Sequence, residues 1–150
     1  MTTPKSLNDI FVLTDGGARG NPGAAACAFV IKIPDKSEII FQEGEFLGIS
    51  TNNKAEYRGI INALTWLTKN LDILSKGSKI SFFSDSELVV RQLNGIYRIK
   101  DSQMLILYSR VQGLITELKE QRASAITFTH FPRSQNSDAD LLVNQTLDRI

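Results

Sequence analysis

The run Ile10-Phe11-Val12-Leu13 constrains this chain more than any other segment. Four consecutive apolar residues leave no polar face, so a strand here must be covered on both sides. An interior sheet strand with layers above and below it satisfies that demand. A chain of 150 residues is long enough to build one such core. The run ends in Thr14-Asp15, which sets a carboxylate at the edge of an apolar segment. A second run, Ile80-Ser81-Phe82-Phe83, ends in the same way, in Ser84-Asp85.

The rest of the chain divides around these runs. Residues 9 to 15 read as the first strand. The stretch from Gly16 to Gly23 is dense in residues that relax or set φ and reads as a loop. Strands over 24 to 33 and 38 to 47 flank a hairpin turn at Pro34-Asp35-Lys36-Ser37. Thr51-Asn52-Asn53 caps a helix over about 53 to 70, with Ile60, Ala63, Leu64, Leu67 and Leu71 as its apolar stripe. Gly77 breaks the chain before a strand at 79 to 85, and a short helix over 86 to 94 stops at Asn94-Gly95. A longer helix covers 102 to 121, and residues 126 to 131 alternate as a strand. Residues 132 to 135 form a loop, and 136 to 149 form the last helix.

The order β-β-β-α-β-α-α-β-α predicts an α/β fold. Its mixed five-stranded sheet would be a meander extended by parallel strands, with helices on both faces. Residues 1 to 8 are expected to form a short flexible tail, and 9 to 150 a single domain. In open sheets of this kind ligands bind beyond the carboxyl ends of the strands.

Composition narrows the chemistry. With 17 basic and 16 acidic residues the net charge is +1, so no global attraction draws the chain to a polyanion. Affinity for nucleic acid would have to come from local charge or from bound metal. One cysteine and one histidine exclude an internal disulfide and argue against a zinc site. Cys27, inside the run Ala24 to Ala28, reads as a small packing residue. No apolar signal core and no membrane-length stretch is present, so a cytoplasmic protein without a membrane partner is expected. Nothing points to an obligate protein partner, and a monomer is the expectation.

Four carboxylates stand out. Asp15 shares a strand face with Phe11 and Leu13, and Asp85 shares one with Phe83. Each has an alternative reading as the first residue of a turn. Glu56 lies in line with Ile60, Ala63 and Leu67, although Asn53-Lys54-Ala55-Glu56 also has the spacing of a capping box. In the last helix Asp140 lies near the apolar side of Val143 and Leu147, whereas Asp138 suits a solvated helix start. A lone buried carboxylate tends to protonate, and several together repel. Divalent cations bound between them resolve the conflict and suit an anionic substrate.

Four segments carry a family resemblance. Thr14-Asp15-Gly16-Gly17-Ala18-Arg19-Gly20-Asn21-Pro22-Gly23 resembles the first motif of the type 1 ribonuclease H family, and Ser50-Thr51-Asn52-Asn53-Lys54-Ala55-Glu56-Tyr57 resembles its second. Ser84-Asp85-Ser86-Glu87-Leu88-Val89-Val90 resembles the third, and His130 through Asp140 the fourth. The likeness runs in order from about residue 10 to 148. It implies a ribonuclease H-like fold and endonucleolytic cleavage of the RNA strand of an RNA–DNA hybrid, leaving 5′-phosphate and 3′-hydroxyl ends. It implies that Asp15, Glu56, Asp85 and Asp140 bind two Mg²⁺ ions, with Mn²⁺ as a substitute. It also implies that Gly16, Asn21, Thr51, Asn52 and Asn53 touch the hybrid.

Relatives place a catalytic helper in the loop before the last acid. Here the candidates are Arg133, in the loop, and His130, at the end of a strand; the loop position favours Arg133. Glu87 departs from the neutral residue common in the family, which argues against a direct role in substrate binding. The basic, tryptophan-rich protrusion of some relatives is absent from residues 94 to 100, which leaves Tyr97, Arg98 and Lys100 for a smaller DNA contact. Two alternatives stand beside the nuclease: a non-catalytic hybrid- or RNA-binding module, and a related nuclease that also acts on double-stranded RNA.

Overall fold

The computed structural model describes residues 6 to 34 and 38 to 150. Five strands, β1 (Leu7–Arg19), β2 (Gly23–Lys32), β3 (Ile39–Ser50), β4 (Leu74–Ser84) and β5 (Ala123–His130), form one sheet in the order β3-β2-β1-β4-β5. The β1–β2 and β2–β3 pairs are antiparallel, and β1–β4 and β4–β5 are parallel. The expected mixed sheet is therefore present, with the Ile10–Leu13 run in its central strand. Four helices complete the fold: α1 (Asn52–Lys69), α2 (Glu87–Leu93), α3 (Ser102–Gln121) and α4 (Ser137–Asp148).

Side-chain alternation sorts the core into two layers. Ile10 and Val12 of β1, Phe29 and Ile31 of β2, and Ile80 and Phe82 of β4 pack with Tyr57, Ile60, Ile61, Leu64 and Leu67 of α1. Val111 and Leu118 of α3 join the same layer. The opposite face is thinner. Ala26 and Ala28 meet Val143 and Leu147 of α4, and Leu13 and Val30 meet Ala139. The run of alanines thus has a structural reason, because short side chains let α4 approach β2. Cys27 points to the other face, buried, with the Asn62 amide donating to its sulfur at 3.4 Å, as a packing residue should. Among the described residues no helix is long and apolar enough to cross a membrane.

Several boundaries differ from expectation. Leu7 and Asn8, expected in the tail, are already in β1, where Leu7 pairs with Leu74. Residues 1 to 5 and the expected turn positions Asp35, Lys36 and Ser37 lie outside the described residues. The expected loop from Gly16 to Gly23 is mostly strand. β1 continues to Arg19, with Gly16 opposite Cys27 and Arg19 opposite Ala24. Long antiparallel pairing with a small-residue partner outweighs the local preference of the glycines. β4 starts at Leu74, before Gly77 rather than after it, and crosses an irregularity in register to reach Lys79.

Candidate active site

Asp15 lies in the central strand, and Asp85 immediately follows the neighbouring parallel strand. Both therefore stand at the carboxyl-terminal side of β1 and β4. Glu56 reaches them from the first turns of α1. An approach of α1 this close to β1 requires glycine, since a Cβ on Gly16 would lie 2.2 Å from the Ala55 carbonyl carbon. Gly59 has the same function one turn later, where a Cβ would lie 2.9 Å from the Asp15 carbonyl oxygen. One ligand oxygen from each of Asp15, Glu56 and Asp85 falls within 4.8 Å of the others. Asp140, in the first turn of α4, is not part of that tight trio but lines the same open cleft of about 460 Å³.

The cluster is electrostatically uncomfortable. The Gly16 N–H donates to Asp15 Oδ1 at 2.9 Å and to Glu56 Oε1 at 3.2 Å. The Ser84 hydroxyl donates to Glu56 Oε2 at 3.4 Å. These donors do not offset burial. Desolvation, followed by repulsion from Asp85, pushes the Asp15 carboxyl up to about 6. Glu56 is pushed well above the carboxylate range, first by desolvation and then by Asp15. The capping-box reading of Glu56 fails, because the cap is Thr51, whose hydroxyl accepts from the Lys54 N–H at 3.3 Å. With Thr51 as the cap, the capping-box position falls on Lys54, so Glu56 lies two residues too deep to cap and turns inward instead.

The other expected site residues fall into groups. Gly16, Asn52 and Asn53 line the cleft. Asn52 also fastens the cleft wall, accepting the Ala18 N–H at 2.8 Å while donating its own N–H to Asn21 Oδ1 at 3.0 Å. Asn21, Thr51 and Asn53 line a neighbouring groove of about 470 Å³ together with Lys54, Arg98 and Lys100, and Asn53 borders both spaces. Arg133 is 83% exposed, with its Nε 3.8 Å from Asp85 Oδ2. His130 is exposed at the end of β5, level with Ser84, and is not among the cleft residues. Glu87 pairs with Arg91 at 2.8 Å, and Arg91 in turn lies over the Tyr97 ring.

Two contributors carry little signal in the sequence. Ser84 stands there only as the hydroxyl residue before Asp85. Asn136 looks in sequence like an ordinary helix cap, but it is fully buried and donates its amide to Asp85 Oδ2 at 3.3 Å. Its position just ahead of a helix start concealed it, because asparagine is common there for a different reason.

Residues 13–146 match a family model described as reverse transcriptase-like. The crystal structure of LC11-RNase H1 in complex with RNA/DNA hybrid is 36% identical, with a TM-score of 0.83, covering 93% of this chain and 97% of that one. RNase H1 from the halophilic archaeon Halobacterium salinarum is 32% identical, with a TM-score of 0.82, covering 95% of this chain and 99% of that one. A bifunctional protein of Mycobacterium tuberculosis is 34% identical over 93% of this chain. The chain spans about a third of the length of that mycobacterial relative, 35%. The architecture is that of the ribonuclease H-like α/β fold. The chain belongs to the type 1 ribonuclease H family.

Proposed function

We propose that this protein is an endoribonuclease that hydrolyses the RNA strand of RNA–DNA hybrids. The observation that carries the reading is the convergence of Asp15 of β1, Glu56 of α1 and Asp85, just after β4, within 4.8 Å. A relative matching over nearly its whole length was solved with RNA/DNA hybrid, which supports this substrate.

The residues fit divalent metal ions. Every donor is a carboxylate oxygen, the ligand type that Mg²⁺ prefers and Mn²⁺ accepts. Among the described residues no lysine or arginine forms an ion pair with the raised Asp15 and Glu56 carboxyls. Asp15, Glu56, Asp85 and Asp140 would hold two such ions, which when bound lower the pKa of an attacking water and stabilise the leaving 3′ oxygen, giving 5′-phosphate and 3′-hydroxyl ends. The chain's own groups position the substrate. Gly16 has no side chain to block the cleft floor, and Asn52 and Asn53 present short amides at its wall, suited to 2′-hydroxyl and phosphate contacts without base sequence. The exposed guanidinium of Arg133, beside Asp85, meets the reacting phosphate or its product. Lys54, Arg98 and Lys100 line the second groove and accept the phosphates of the DNA strand, with Asn21 and Thr51 beside them.

The test is cleavage of labelled RNA–DNA hybrid, duplex RNA and duplex DNA, each with Mg²⁺ and with EDTA. Hybrid is expected to be cut in Mg²⁺ alone, and Asp15→Asn and Asp85→Asn should fall to the EDTA level. Cleavage that persists in either variant would remove the site assignment, and equal cutting of duplex RNA would broaden the substrate.

A further inference from the structure

Asn136 occupies the residue before α4, where asparagine is a favoured cap, yet its side chain makes no bond to the helix N–H groups. It turns into the protein, fully buried. Its Nδ2 donates to the Thr14 carbonyl at 2.9 Å and to Asp85 Oδ2 at 3.3 Å. The Thr14 carbonyl can only accept, so it dictates which way the amide faces. The consequence falls on Asn136 Oδ1, which is buried with no partner. A helix cap is forgone and an acceptor is left unsatisfied, and both follow from keeping two donors on this side. The main chain adds a third link, since the Asp140 N–H donates to the Asn136 carbonyl at 3.0 Å.

We propose that Asn136 is a positioning residue for the metal centre. It ties together the three segments that carry Asp15, Asp85 and Asp140, and it holds the Asp85 carboxylate in place against the repulsion of its neighbours. The inference rests on the reading of these acids as metal ligands. A side chain that acts only through a ligand should alter metal affinity more than fold stability, as supporting hydrogen bonds around metal ligands do.

The experiment is calorimetric titration of Mn²⁺ and Mg²⁺ into the full chain without nucleic acid, comparing the parent with Asn136→Ala and Asn136→Ser. Serine retains helix-cap chemistry but is too short to reach Asp85. Both variants should lose metal affinity by roughly 10–100-fold. They should need correspondingly more Mg²⁺ for half-maximal hybrid cleavage, with KM for hybrid unchanged at saturating metal. The melting temperature of the serine variant in EDTA should stay close to that of the parent. A serine variant with parental metal affinity would show that capping was the whole role and overturn the proposal. In the parent, the Asn136 side-chain NH₂ resonances should shift on Mg²⁺ titration, a readout independent of how the variants fold; resonances that stay fixed would also overturn it. Lost metal affinity in variants of a parent that does not cut hybrid would still support Asn136 and sink only the substrate assignment. A parent that binds neither ion would overturn both.

Discussion

Asp15 and Glu56 are held as acids that would rather keep their protons. Asp15 is raised from 3.8 to about 6, chiefly by burial and then by Asp85. Glu56 is raised by burial and then by Asp15. Because the folded carboxyls bind protons more tightly than the unfolded ones, the metal-free fold is favoured at low pH. For Asp15 the penalty is absent below 3.8 and fully imposed above about 6, where it amounts to roughly 3 kcal/mol. Thermal melts in EDTA should therefore show the Asp15 contribution to stability falling as pH rises from about 4 to 6, and saturating Mg²⁺ should remove the trend. Asp15→Asn should raise the stability of the metal-free protein at pH 7, by at most about the same 3 kcal/mol, while abolishing cleavage. An Asp15→Asn protein less stable than the parent in EDTA would contradict this account. Glu56 shows how local spacing misleads: Asn53-Lys54-Ala55-Glu56 fits a capping box, but Thr51 takes the cap and Glu56 is drawn inward.

At the scale of elements, the site depends on how closely α1 lies against β1. Gly16→Ala would drive a Cβ to 2.2 Å from the Ala55 carbonyl carbon, so backbone must move. A destabilisation of about 3 kcal/mol or more is expected in urea unfolding, the upper end of what overpacking costs. Thr51→Ala removes the bond from the Lys54 N–H and should cost about 1 kcal/mol, enough to loosen the helix start that carries Asn52 and Asn53. A Gly16→Ala protein as stable as the parent would show that the α1–β1 contact is looser than this. The glycines of the first motif read as a loop because local preference points that way. They are strand because β2 supplies a small-residue partner along the whole segment from Ala24 to Ala28.

Over the whole molecule, charge is nearly balanced, at 17 basic against 16 acidic residues, so attraction for a polyanion must be local. The acidic cleft and the groove of Lys54, Arg98 and Lys100 lie side by side, with Asn53 bordering both. The two faces of the division are unlike: one suits metal ions with a phosphodiester, the other suits phosphates alone. Arg98→Ala and Lys100→Ala should each weaken hybrid binding uniformly across base sequences and lower the slope of log affinity against log salt by about 1. The turnover rate at saturating hybrid should not change. Binding measured across 50 to 200 mM salt checks this, and an unaltered slope would remove these residues from the interface.

The apolar run before Asp15 and the β-β-β-α-β-α-α-β-α order were legible in the sequence. Periodicity and residue chemistry act over a few positions, and motif order carries the rest. The convergence of Asp15, Glu56 and Asp85 on one point was an inference there and is a distance here, because residues 15, 56 and 85 meet only once α1 closes against the sheet. Asn136 was decided by tertiary structure alone. Its sequence neighbourhood says helix cap, a role for its side-chain oxygen, whereas the fold brings the Thr14 carbonyl and Asp85 Oδ2 within reach of its NH₂ and turns the side chain inward. Local propensity sets what a residue can do, whereas the partners that folding brings within hydrogen-bond range determine which of those things it does.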